Sequence, residues 1–461
     1  MTAVQTANPL EAFQWTPQPR AEALVIGLLE PFLKQDPFVA ELARRLKAEG
    51  GVRLVDMIDA FRLPDTEDVR KFEDAGYVFR PIPDLPNRYV HEGGIFPPIV
   101  LVCNSARLLY LKVESVVDFL MAWQTPLPTY AGWPMGAVRK EGVSKSAAGV
   151  VFIVERHGHR GFASELSLPQ ADLALNVLKH SERFRLRRRL FEDPSDGFGA
   201  ADELIDEAIK DLGRDRACDL FFAAEREYWQ RRNRAAQVQK ARQDKLGIGW
   251  ANHDHHTYRS SRENFARMIG VFEKLGFHCR ERFYAGHQAG WGAQVLEQPN
   301  AGVVIFADVD LSPDELMGDF SHDGLAPRDS LGTVGLWCAL HGEAFLEAGM
   351  HHLECQFDFE ALKRQLEEQE NVKVMKPFTD FPYLRQAFTE GEIWPVRPKR
   401  IDRLLKEGRI TVEQARQFRE HGALGSHLEN LERNQGFKGF NQTGVSEIIA
   451  RTDPRAHAAQ H

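Results

Sequence analysis

Hydrophobic positions recur at helical spacing through much of the first half of the chain and at strand spacing through much of the second. Over residues 20–48, Leu24, Ile26, Leu28, Leu29 and Phe32, then Val39, Leu42 and Leu46 beyond Pro37, predict helix, closed by Gly50-Gly51. Residues 54–61 predict a further short helix. Strands are predicted at 77–82, 99–103, 108–113 and 149–155, the third leading into a helix at 115–120. Residues 165–245 predict mostly helix. A polar run, His253-Asp254-His255-His256-Thr257-Tyr258-Arg259, then predicts a strand. Ser260-Ser261-Arg262-Glu263 reads as a capping box, and Phe265, Met268, Ile269, Phe272 and Leu275 as the helix it starts, ended by Gly276. Strands at 278–284, 291–296 and 302–308 follow. Residues 350–356 open the same order again, with a helix at 359–366, a strand at 372–375 and a closing strand at 387–394.

A βαβββ-like unit is therefore predicted twice, each copy beginning on a histidine-bearing strand, and repetition of this kind marks architecture. The predicted fold class is α+β: paired βαβββ units forming a cupped mixed sheet, preceded by a helix-rich α+β N-terminal region. The expected division is an N-terminal region over 1–165, a helical connector over 166–248 and a metal-binding catalytic domain over 249–461. Alternation along the first opening strand sends His253, His255, Thr257 and Arg259 to one face and Asp254, His256 and Tyr258 to the other. Neutral imidazole is a ready metal ligand, and a fixed guanidinium grips a carboxylate through two parallel hydrogen bonds.

Pairing of the two units brings together His255, His352 and Glu392 as the expected ligand set. Two imidazoles and one carboxylate leave coordination positions open, the set used by non-haem Fe(II) oxygenases. His253 or His256 competes with His255, His351 or Glu354 with His352, and Glu390 with Glu392. The competing reading for all of them is solvent-facing polar residues on edge strands. His157 and His159 also have the spacing of two strand ligands, but no third ligand lies near them in sequence, and a solvated turn is expected there.

Charge and cysteine content remove several classes. The chain has 58 Lys and Arg against 66 Asp and Glu, a net charge of −8, which argues against a general nucleic-acid binder. The basic runs at 181–191 and 225–245 are interleaved with acids, as on solvated helix faces. Five cysteines without a CxxC pair suggest reduced thiols. The N-terminus has no basic segment followed by an apolar one, and no long apolar run follows, so a cytoplasmic protein without a membrane partner is expected.

At the histidine strands the chain resembles the vicinal oxygen chelate superfamily and, within it, the 2-oxoadipate dioxygenase/decarboxylase (2-hydroxyglutarate synthase) family. His255 and Arg259 stand four apart, like that family's metal histidine and substrate-binding arginine. Met350-His351-His352-Leu353 resembles the start of its second histidine strand. Phe388-Thr389-Glu390-Gly391-Glu392-Ile393, with the basic stretch after it, resembles its glutamate segment, and Gly436 to Thr443 its glycine-containing substrate segment. The likeness covers residues 250–446. It departs at Gly391-Glu392-Ile393-Trp394-Pro395, and the N-terminal 240 residues have no counterpart.

The resemblance implies Fe(II), or another divalent metal, on His255, His352 and Glu392. It also implies substrate contacts from Arg259, Gly436, Phe437 and Gln442, with Arg259 acting in catalysis. The implied activity is that of an oxidoreductase, a dioxygenase/decarboxylase that takes a 2-oxo acid and dioxygen, and the resemblance allows for a homodimer. Two other readings stand beside it. One is a metal-dependent isomerase or lyase on the same scaffold, because fold and metal do not fix chemistry. The other is a non-catalytic small-molecule binding protein with an aromatic pocket drawn from Trp291, Phe345, Phe378, Phe388, Trp394 and Phe440.

Overall fold

In a computed structural model of the chain, which describes residues 15–103, 106–125, 132–162, 170–286, 289–441 and 453–457, the strands gather into two mixed sheets. Ile58–Pro64 (β1), Val78–Phe79 (β2), Arg88–Val90 (β3), Ile99–Val102 (β4), Leu108–Lys112 (β5), Val138–Ser146 (β6) and Gly149–Arg156 (β7) form a seven-stranded sheet in the order β2-β3-β4-β1-β5-β7-β6. His253–Arg259 (β8), His278–Tyr284 (β9), Trp291–Gln298 (β10), Val303–Asp310 (β11), His352–Gln356 (β12), Thr379–Phe381 (β13), Leu384–Phe388 (β14), Glu392–Trp394 (β15) and Ala423–Arg433 (β16) form a nine-stranded sheet. Its order is β13-β14-β16-β12-β8-β11-β10-β9, with β15 also paired to β16.

One pairing plan is used throughout. β8 is followed by the helix Phe265–Lys274 and then by β9, β10 and β11; β11 returns parallel to β8, and β10 pairs antiparallel with both β11 and β9. β12 is followed by the helix Phe359–Gln369, and β16 returns parallel to β12 with β14 and β13 antiparallel beyond it. The two βαβββ units join where β8 pairs antiparallel with β12. The N-terminal sheet repeats the plan: β1 with β2, β3 and β4 is a full unit, β5 with β6 and β7 is a shorter one, and β1 pairs antiparallel with β5. The fold class is thus α+β, with curled mixed sheets of the paired βαβββ kind.

The second C-terminal unit closes later than its sequence suggests. The strand expected at 387–394 ends at Phe388, and 372–375 contributes only a bridge between Val374 and Thr389. Between β14 and β16 the chain inserts β15 and two helices, Pro398–Lys406 and Val412–His421. Two local readings also change. Residues 54–61 are a 3-10 turn, Leu54–Met57, running into β1, because a strand buried on both faces carries no alternation to separate it from a helix. The capping box at 260–263 is not formed: the helix starts at Phe265, and the Ser260 hydroxyl and the Ser261 N–H both donate to Glu343.

Helices Gln170–Leu186, Pro194–Leu212, Arg214–Gln230 and Arg234–Lys245 lie between the two sheets in sequence. The basic run at 183–189 is divided: Arg185 and Arg188 are exposed, whereas Arg187 and Arg189 are buried. Arg185 pairs with Glu227, and Arg187 and Arg189 converge on Glu225, itself 1% exposed. Tyr258 Oη donates to the same carboxylate at 3.2 Å from the back of β8. This buried triad ties the helices to the strand that carries His255. Among the described residues no helix is long and apolar enough to cross a membrane.

Removing one partner from such a cluster leaves buried charges uncompensated. Glu225→Ala is therefore expected to lower unfolding free energy by about 3–5 kcal/mol, read from the shift in urea midpoint.

Candidate metal centre

Side chains alternate along strands, so register decides which residues share a face. In the β8–β12–β16 ribbon, His255 lies opposite Glu354, and Glu354 is in register with Glu429. The next row is Thr257, His352 and His427. Ligand atoms of His255, His352, Glu354 and Glu429, all buried, lie within 4.8 Å of one another. His255 Nε2 is 2.5 Å from Glu354 Oε1, and His352 Nε2 is 3.6 Å from the same atom and 3.4 Å from Glu429 Oε2.

Three of the four ligands are oriented by a neighbouring side chain. Asp254 Oδ1 lies 3.0 Å from His255 Nδ1, and Asp254 is in turn held by Arg433 and by the Gln356 side-chain amide. Burial alone would raise the Asp254 carboxyl, but Arg433 and His255 more than reverse this and keep it ionised. Gln386 Nε2 donates to Glu429 Oε1 at 3.0 Å. His352 Nδ1 lies 2.8 Å from His351 Nδ1, so with the proton on His352 Nδ1 the Nε2 atom carries a lone pair, which meets the Thr257 hydroxyl at 2.8 Å and would have to exchange that contact for a metal. His351, His352 and His427 also form a three-imidazole group, but it competes for the same His352 and offers no carboxylate.

The electrostatics suit a divalent cation. Burial lowers His255 to about 4 and His352 well below its usual value, keeping both as neutral imidazoles. Burial, followed by the repulsion between them, raises the Glu354 side of the carboxylate pair, and burial raises Glu429 as well. The pair therefore holds a proton near neutrality, which a metal ion would replace. Glu354 Oε2 has no hydrogen-bond partner although buried. A buried, unsatisfied carboxylate oxygen beside two neutral imidazoles fits a missing cation.

Arg259 stands on the same face, one row beyond Thr257. It is 2% exposed, its Nε and Nη1 have no hydrogen-bond partner, and its nearest carboxylate, Asp308 Oδ2, is 3.8 Å away. Burial raises Asp308 to about 7 against the pull of Arg259. The Trp337 ring lies 5.6 Å from the guanidinium. Aromatic rings close the other side: Phe306 is 4.7 Å and Phe440 5.3 Å from the His255 ring, and Phe388 is 5.4 Å from His352. The face thus combines a ligand cluster, a guanidinium with two donors free of hydrogen bonds, and apolar walls.

The structure brings His255, His352 and Arg259 together but leaves Glu392 out. β15 pairs with the far end of β16, and the Glu392 carboxylate accepts the Arg234 backbone N–H at 2.6 Å. Glu390 is outside the cluster too, beside Lys373 at the surface. His253 and His256 belong to the opposite side: a register shift between Glu354 and Cys355 turns His253 away, and His256 packs on Phe222 and Arg226. His157 bridges Asp219 and Glu155, and His159 pairs with Asp84.

The expected substrate contacts at Gly436 and Phe437 are also displaced. Gly436 makes a turn at φ 58° whose carbonyl accepts the Ile95 N–H, and a Cβ there would meet the Phe96 ring. Phe437 packs on Tyr383 and gives its carbonyl to Arg433. Phe440 is the residue of that segment that reaches the face, and Gln442 lies outside the described residues. The sequence does hold the signal for Glu429: the tripeptide His-Leu-Glu occurs at 352–354 and again at 427–429, and the two copies lie in parallel register.

No family model and no curated protein matches the chain. Three of the solved structures to which it is similar are a glyoxalase-superfamily protein, a synthase and an uncharacterized protein. The first, from Ralstonia eutropha JMP134, has a TM-score of 0.31 at 12% identity over 57% of this chain and 98% of that one. A triple mutant of 4-hydroxymandelate synthase from Streptomyces coelicolor gives 0.25 at 14% identity over 44% and 55%. The uncharacterized protein from Shigella flexneri, which includes domain DUF1338, gives 0.24 at 12% identity over 60% and 82%. With scores this low, the fold rests on the strand order and registers of the chain itself.

Glu429→Gln is expected to weaken Mn²⁺ binding by at least about 100-fold in calorimetry, whereas Glu392→Ala leaves it unchanged; Asp254→Asn should cost about 10–100-fold. Titrations in buffers of different ionisation enthalpy should show about one proton released per metal at pH 7, with affinity rising as pH rises.

Proposed function

We propose that the chain is a divalent-metal enzyme, an Fe(II)-dependent dioxygenase/decarboxylase acting on a 2-oxo acid, of the kind the 2-oxoadipate family represents. The observation that carries this reading is the Arg259 guanidinium, with two donors free of hydrogen bonds and only a long 3.8 Å pairing to Asp308, on the same buried face as His255, His352 and Glu429. An anionic substrate that chelates a metal needs both at once.

His255, His352 and Glu429 would hold the metal, with Glu354 beside them. When bound, Fe(II) supplies Lewis acidity and the electrons for dioxygen chemistry. The rest is done by this chain. Arg259 binds a substrate carboxylate with its free Nε and Nη1 donors, a bidentate grip that fixes orientation. Asp308, raised to about 7 by burial, can hold or release a proton beside that carboxylate at physiological pH. Phe306, Phe388 and Phe440 exclude water around the ligands. The overall change balances as one dioxygen consumed and one carbon dioxide released per 2-oxo acid, leaving the 2-hydroxy acid one carbon shorter.

One feature favours a second reading. Glu354 gives the cluster two carboxylates rather than one, and a four-residue set with a protonatable carboxylate also suits a metal-dependent isomerase or lyase that moves a proton without oxygen.

Anaerobically purified protein, loaded with Fe(II) and offered 2-oxoadipate beside other 2-oxo acids, separates the two. Equal oxygen uptake and carbon dioxide release supports the oxygenase, and substrate turnover without oxygen uptake supports the isomerase or lyase. With the responding substrate, Arg259→Met is expected to cost about 2–3 kcal/mol in kcat/KM, roughly 30- to 150-fold.

A further inference from the structure

A cavity of about 790 Å³ lies between the two sheets, within the size range of small-molecule sites. It is separate from the metal face: none of His255, His352, Glu429 or Arg259 lines it. Arg433 and Gln356, which hold Asp254 behind His255, do form part of its wall. Val25, Ile58, Phe96, Val154 and Trp250 give it apolar surface.

Its charges are unevenly matched. The acids are engaged: Asp56 by Arg53, Asp59 by Arg156, Asp219 by His157 and Glu114 by Lys240. Glu22 accepts the Gln435 N–H, and Glu297 faces Lys438 and Arg280. Among the described residues, four cations of the same wall have no carboxylate within ion-pair distance. Among the described residues the Lys112 ammonium makes no hydrogen bond or ion pair; Asp56, Asp59 and Asp254 attract it without reaching it. Arg226 has one contact, with His256 Nε2 at 3.3 Å, and its Nε is buried without a partner. Arg88 donates only to the Arg80 carbonyl and Arg160 only to the Pro299 carbonyl.

These cations fall into two pairs. Lys112, Arg226 and His253 line the cavity together, and Arg226 touches His256, whose ring lies 5.4 Å from that of His253. Burial, then the neighbouring Arg160, lowers Arg88. Partly buried cations whose nearest carboxylates stand beyond ion-pair distance are costly, and two guanidiniums that repel each other are an arrangement an anion relieves.

We propose that the inter-sheet cavity is a second binding site, for a small organic anion carrying at least two negative charges. Its acidic groups engage the Lys112–Arg226 and Arg88–Arg160 pairs, and its carbon body lies against the apolar wall. Dicarboxylates and phosphate esters share this chemistry.

The test is calorimetric titration of the full-length, metal-free protein with glutarate, citrate, glycerol 3-phosphate and pyrophosphate, which separates carboxylate from phosphate ligands. At least one probe should bind with one-to-one stoichiometry. Affinity should fall tenfold or more in Lys112→Met and in the double variant Arg88→Ala/Arg160→Ala. The charge-keeping double variant Arg88→Lys/Arg160→Lys should retain most of it, and Arg259→Met, altered only at the metal face, all of it. The proposal is overturned if no probe binds, or if binding survives the cavity variants and is lost in Arg259→Met.

Discussion

The metal face depends on one backbone constraint, the register of β12 between β8 and β16. Parallel pairing sets Glu354 beside Glu429 and His352 beside His427; antiparallel pairing sets His255 against Glu354. A slip of one residue would exchange the two faces of the strand. Leu353, fully buried on the opposite side, would then face the polar cluster, and Glu354 would enter the apolar core against Leu428. Burial of the leucines therefore fixes the register that aligns the ligands, and hydrophobic packing determines where the charges stand.

The same plan serves a different end in the other sheet. β5 lies between β1 and β7 as β12 lies between β8 and β16, but Tyr110 and Phe152 occupy paired positions there and stack at 5.1 Å. Ala60 pairs with Tyr110, and Phe162 covers the ring at 4.4 Å. One half of the molecule sets stacked aromatic rings at these positions while the other sets histidines and glutamates there, a contrast that locates function in side chains rather than in the fold.

Much of the first C-terminal unit could be read from the sequence, because its strands and helix follow one another closely and each has a clean period. β8, its helix and β9 to β11 lie where alternation and helical spacing put them. The second unit was harder because pairing between distant strands leaves no local trace. The insertion of β15 and the helices at 398–406 and 412–421 moves the returning strand by more than thirty residues, so the carboxylate that the structure places beside His255 and His352 from a closing strand is Glu429 and not the expected Glu392. The repeated His-Leu-Glu was visible but acquires meaning only once β12 and β16 are known to run side by side. Similarly, Gly436 and Phe437 sit in the right segment, but only the structure shows that the chain turns at Gly436 and delivers Phe440 instead.

The most direct test of the metal centre is a crystal structure of the protein grown with Mn²⁺ and read by anomalous scattering. A single strong peak bounded by His255 Nε2, His352 Nε2 and a carboxylate oxygen of Glu429 is the predicted result. A peak at Glu392, at the surface, or no ordered peak at saturating metal would contradict it.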